Sequence, residues 1–67
     1  MDYRNSEISH VIDEVIHSAR DRRILKFRFI DGLTYEAIAG EMDMSVRQVQ
    51  NIIYRHETAV FRGLGMF

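Results

Sequence analysis

The 67-residue chain has no cysteine, no proline and no tryptophan, and only four glycines. Without cysteine there is no disulfide framework and no thiolate metal site, an absence that fits a reducing cytoplasm. No apolar run approaches the roughly 20 residues of a membrane span, and the opening MDYRNSE does not read as a signal peptide. A cytoplasmic location is therefore expected. Excess charge of one sign is also lacking: the formal net charge is −1 and the pI about 6.3. That balance counts against a strong, non-specific nucleic-acid binder. Paired carboxylates, a nucleophile beside a base and a Gly-rich phosphate loop are all missing, which argues against an enzyme, and nothing calls for a cofactor.

What remains describes one small helical domain. A chain of this length buries only about 60% of its unfolded surface, enough for a single core. The 46% hydrophobic content is that of a globular protein. With no proline and no strand-like alternation, the fold class expected is all-α, a compact four-helix domain spanning 1–67. Residues 1–5 are expected to be frayed. Ser6 is placed to cap a first helix over 7–18, because Ile8, Val11, Ile12, Val15 and Ile16 keep the i, i+3, i+4, i+7, i+8 spacing. His10 and His17 lie on it seven residues apart, about two turns, with no third ligand nearby, so boundary histidines are the better reading. Asp21 is placed to cap a second helix over 22–30, with Ile24, Leu25 and Phe27 or Phe29 inward and Arg22, Arg23, Lys26 and Arg28 outward. Asp31-Gly32 ends it, Gly32 being available for a left-handed cap.

Thr34 opens a short third helix over 35–42, with Ile38, Ala39 and Met42 on one face. Asp43-Met44 links it to Ser45. Two helices joined by about three residues, the first short and the second long, form a helix-turn-helix. Small Ala39 admits a close crossing, and Met44 plugs the gap beside it. The core expected from these stripes is Ile12, Val15, Ile16, Leu25, Phe29, Ile38, Ala39, Met42, Val49, Ile52 and Ile53.

The stretch 45–55, SVRQVQNIIYR, carries the chemistry. Ser45 and Gln48 make an S-x-x-Q capping box, and Val46, Val49, Ile53 and Val60, with Ile52, make one apolar stripe over a helix at 46–61. The other face holds Arg47, Gln48, Gln50, Asn51, Tyr54 and Arg55, with no acid before Glu57. Arg, Gln and Asn are the side chains that make bidentate bonds to base edges in a major groove. In a helix-turn-helix the N-terminal turns of the second helix enter the groove, so Arg47, Gln48, Gln50 and Asn51 would meet bases while Tyr54 and Arg55 reach back toward phosphate. Past Arg62, Leu64, Met66 and Phe67 form an apolar tail over 63–67, which folds back on the core or serves as a partner-binding end.

The string RRILKFRFIDGLTYEAIAGEMDMSVRQVQNIIYR resembles region 4, the C-terminal DNA-binding domain of the bacterial sigma-70 family. Its most specific part is R-x-x-D-G-L-T-Y-x-x-I-A, at Arg28, Asp31, Gly32, Leu33, Thr34, Tyr35, Ile38 and Ala39. The resemblance implies a helix-turn-helix that reads the −35 promoter element with its last helix and docks on the β flap of RNA polymerase. It assigns base edges to Arg47, Gln48, Gln50 and Asn51. It assigns the phosphate backbone to Arg28, Thr34 and Arg55, beside which Tyr35 and Tyr54 are also expected to contact phosphate. The region that melts the −10 element has no counterpart, so a free-standing region 4 is implied, of the kind found as small regulators in phage and mobile elements. Asp43 departs from the Gly frequent in this turn, and Asp tolerates the left-handed conformation better than most residues.

The function expected is sequence-specific DNA binding in transcription, as a regulator or a sigma-like accessory factor on the nucleoid. A homodimer, RNA polymerase or a sigma partner would supply the affinity that so few cations do not. Two alternatives are a protein-interaction module that binds polymerase or a sigma partner without reading DNA, and a DNA-binding subunit in recombination or phage packaging.

Overall fold

The structure, a computed structural model, describes residues 4–65. It contains α1 (Asn5–Val15), α2 (Ala19–Phe29), α3 (Tyr35–Met42) and α4 (Val46–Gly63), with no strand among the described residues.

The first helix starts earlier and stops sooner than its apolar stripe predicts. Arg4, not Ser6, is the N-cap, and no side chain caps it. The N–H groups of Glu7 and Ile8 bond to the Arg4 carbonyl at 3.0 and 3.1 Å instead. At the other end Ile16 turns extended (φ −114°, ψ 120°). It still buries its side chain completely, and its carbonyl accepts from Arg22 Nε. The reason for the early stop is Ser18. It takes the extended N-cap conformation, and its hydroxyl accepts the Asp21 N–H at 3.3 Å. The second helix thus begins at Ala19, with Ser18 as cap in place of Asp21.

The remaining boundaries follow local chemistry. Gly32 adopts φ +70°, and the Asp31 and Leu33 N–H groups bond back to the Lys26 and Phe27 carbonyls at 3.2 and 3.0 Å, closing α2. The Thr34 hydroxyl accepts the Ala37 N–H at 3.1 Å. Asp43 takes the left-handed conformation (φ 54°, ψ 49°), the one non-glycine residue to do so among those described. Its N–H and that of Met44 both return to the Ala39 carbonyl, so the turn from α3 to α4 occupies only Asp43, Met44 and Ser45.

α4 packs against each of the other three helices and supplies Val49, Ile52, Ile53 and Val60 to the core. Val11, Ile12 and Ile16 meet them from the α1 side, Ile24 and Leu25 from α2, and Ile38 and Ala39 from α3. Each fully buried Val, Leu or Ile contributes about 1.5–3 kcal/mol relative to exposure. Val15, Phe29 and Met42, expected inside, are only partly buried at the rim of this cluster, while Val11, Ile24 and Val60 are within it. Phe29 stands edge-on to Phe61 with ring centroids 5.6 Å apart, a contact between α2 and α4 that holds both rings at the rim.

Candidate nucleic-acid interface

At about 100° per residue, the buried stripe of α4 leaves Arg47, Asn51, Tyr54 and Arg55 on the opposite side, with Gln48 at its edge. All five are exposed, and Gln50 is half-buried. The face is anchored by its own first turn. Ser45 Oγ accepts the Gln48 N–H at 3.1 Å, while Gln48 Oε1 accepts from the Ser45 N–H at 3.0 Å and lies 3.2 Å from Ser45 Oγ. The Gln48 amide oxygen is thereby committed and its NH₂ group remains as donor. Gln48 is thus suited to donate to a purine N7, a guanine O6 or a phosphate, and not to the bidentate adenine pattern that needs both amide ends. No acidic residue occupies the first turn of α4, so the positive end of its dipole is not offset.

On one flank of the face, Tyr35 meets Tyr54 edge-on at 6.4 Å. A hydrogen bond with the Tyr35 phenol pushes the Tyr54 hydroxyl above its ordinary value of 10. The Arg28 guanidinium lies 4.5 Å above the Tyr35 ring and donates through Nη1 to the Leu33 carbonyl at 3.0 Å. Arg28 therefore ties α2 to the loop before α3 as well as standing near the face. Thr34 is exposed with its oxygen on the Ala37 N–H, which leaves its own O–H to donate.

On the other flank a shallow cleft is lined by Arg20, Met44, Gln48, Asn51, Ile52 and Arg55. Arg20 belongs to this surface and is missed when α2 is started at residue 22, which leaves it in a link. The available signal is Ser18-x-x-Asp21, an S-x-x-D start pattern. The other α2 cations have internal tasks. Lys26 lies 2.8 Å from Asp13, whose carboxyl the Lys26 hydrogen bond holds below 3.8. Arg22 bonds the Ile16 carbonyl and Arg23 covers Phe27 at 5.4 Å. These residues line a separate, wider cleft between α1 and α2.

Asp21 is the one buried charged side chain among the described residues. Its Oδ1 accepts from Arg20 Nε at 3.1 Å and its Oδ2 lies 2.9 Å from His56 Nε2 on α4. Burial pushes the Asp21 carboxyl up, but the His56 and Arg20 bonds outweigh it and hold the group below 3.8. His10 lies 3.1 Å from Glu14. Of the apolar tail, Leu64 is half-buried against the core; Met66 and Phe67 lie outside the described residues. No helix among the described residues is long and apolar enough to cross a membrane.

Residues 18–56 match the family described as Sigma-70, region 4. Comparison with curated proteins and with solved structures gives no match. The matched segment runs from the Ser18 cap of α2 to His56 of α4 and so contains α3, the turn, the part of α4 that carries the exposed face, and both flanks of that face. It covers more than half of the chain, which therefore belongs to the sigma-70 region 4 family of DNA-binding, non-enzymatic domains in transcription.

Proposed function

We propose that the protein is a sequence-specific DNA-binding regulator of transcription, or a sigma-like accessory factor, that reads promoter DNA with the first turns of α4. The observation that carries this reading is the exposed, acid-free face of Arg47, Gln48, Asn51 and Arg55 on a doubly capped helix start. Arg47 and Asn51 meet base edges, Gln48 donates one hydrogen bond from its amide, and half-buried Gln50 reads from the margin. Thr34, Tyr35, Tyr54 and the N–H groups that Arg28 does not give to Leu33 hold the phosphate backbone on one flank. Arg20 and Arg55 hold it on the other. Backbone contacts set position and base contacts set sequence.

Domains of this family bind RNA polymerase as well as DNA, and a polymerase partner would supply the affinity that a net charge of −1 withholds. Selection of bound duplexes from a random pool, with and without RNA polymerase, tests the reading. Enrichment of one motif by the protein alone supports a DNA reader, and enrichment only with polymerase supports an accessory factor. No enrichment in either arm contradicts both.

A further inference from the structure

Asp21 lies in the first turn of α2, where a negative charge suits the helix dipole, but Ser18 is the cap and the Asp21 oxygens bond to other side chains. Its side chain is only 6% exposed, and a buried carboxylate is retained only when paired. Both oxygens are matched, one by Arg20 and one by His56, thirty-five residues along the chain. The bond to Arg20 uses Nε alone. The terminal nitrogens of Arg20, whose side chain is 56% exposed, stay free beside Gln48, Asn51 and Arg55. His56 follows Arg55 directly on α4, so the same carboxylate ties the first turn of α2 to the helix that carries the exposed face.

We propose that Asp21 is a positioning residue for DNA binding: it aims the Arg20 guanidinium at the phosphate backbone alongside α4, and His56 holds the carboxylate in place. The proposal rests on the reading of α4 as the DNA-facing helix. Two effects of the carboxylate oppose each other. Its negative charge repels phosphate, so a residue acting through charge alone would bind DNA more tightly when removed. A fixed Arg20 loses less side-chain freedom on binding, so a positioning residue weakens binding when removed.

The test has two parts. In the free wild-type protein, ¹⁵N relaxation of the arginine Nε–H groups should show Arg20 well above Arg47, toward the ~0.85 order parameter of rigid backbone. Equal mobility of the two overturns the proposal without reference to DNA. Affinity for the duplex selected from the random pool is then measured for wild type, Asp21→Ala, Arg20→Ala and the double variant, each checked by thermal melting, with Asp21→Asn in place of Asp21→Ala if the latter does not fold. Asp21→Ala should weaken binding roughly two- to tenfold, the effect of freeing one long side chain, and should weaken it no further once Arg20 is alanine, where only the relief of charge repulsion remains. Additive losses, or tighter binding by Asp21→Ala, overturn the positioning role and leave the DNA reading standing. Failure of the wild type to select any duplex overturns the DNA reading, and this proposal with it.

Discussion

Gly63, the last residue of α4, approaches Val11 of α1 so closely that a Cβ at Gly63 would collide with the valine Cγ1. Its backbone φ is not positive, so this glycine is needed for space and not for a left-handed turn. Gly65, at φ +78°, makes the turn that follows. Gly63→Ala should therefore destabilise the fold by about 1–3 kcal/mol, as overpacking does, despite alanine's better helix propensity. Urea denaturation measures it, and the paired change Gly63→Ala with Val11→Ala should recover part of the loss.

Gln48 serves both the capping box and the exposed face, and one substitution separates the two. Gln48→Glu keeps an S-x-x-E box while turning a donor toward the groove into a negative charge. Thermal stability should hold within about 0.5 kcal/mol while DNA affinity falls for every sequence. Gln48→Ala should lose the side-chain half of the box and the contact together, while Ser45 Oγ keeps its bond from the backbone N–H of residue 48. Unchanged affinity for the Glu variant would remove Gln48 from the interface.

Arg28 also has two tasks, and salt dependence distinguishes them. Arg28→Ala removes the bond to Leu33 and the stacking on Tyr35, so stability should drop by about 1–3 kcal/mol. If its remaining N–H groups hold a phosphate, the plot of log K against log[salt] should also become shallower by about one, from roughly −3 to −4 for three or four phosphates. A stability loss with an unchanged slope would assign Arg28 to the fold alone.

Asp21 makes stability depend on acid. Its carboxyl titrates below 3.8 in the folded protein. Its contribution is therefore present above about pH 4 and is lost as the pH falls through the folded-state value. In urea titrations repeated down the acid range, wild type should exceed Asp21→Asn in stability near neutrality, and the difference should close in acid. A difference that persists unchanged in acid would mean that the ionised carboxylate is not what holds Arg20 and His56. Asp13→Asn serves as the comparison, because the Lys26 hydrogen bond also lowers the Asp13 carboxyl, from a half-exposed site.

The features legible in the sequence are those written in i, i+3 and i+4 relations. The Ser45–Gln48 box, the Thr34 cap, Gly32, left-handed Asp43 and the buried stripe of α4 all follow from neighbours within one turn. The border between α1 and α2 was not legible in that way, because Ser18 and Asp21 are both good caps. Burial of Ile16 and the pairing of Asp21 with His56 decide between them, and both are tertiary. Arg20 beside Gln48, Asn51 and Arg55, Gly63 against Val11 and the commitment of Arg28 to Leu33 and Tyr35 depend likewise on partners that sequence spacing does not reveal. In the site, residue type pointed to Arg47, Gln48 and Asn51, but only the structure shows that the Gln48 oxygen is already bonded and that Gln50 is half-buried.

The most direct measurement for the DNA reading is the base-preference profile of Asn51→Ala against wild type, taken by selection from the same random duplex pool. Asn51 is exposed and lies outside both the core and the capping box, so the variant should melt as the wild type does. Its profile should lose preference at one base pair, by about 1–3 kcal/mol, and keep the others. A variant that folds normally and returns the wild-type motif with undiminished preference at every position would contradict the assignment of this face to DNA.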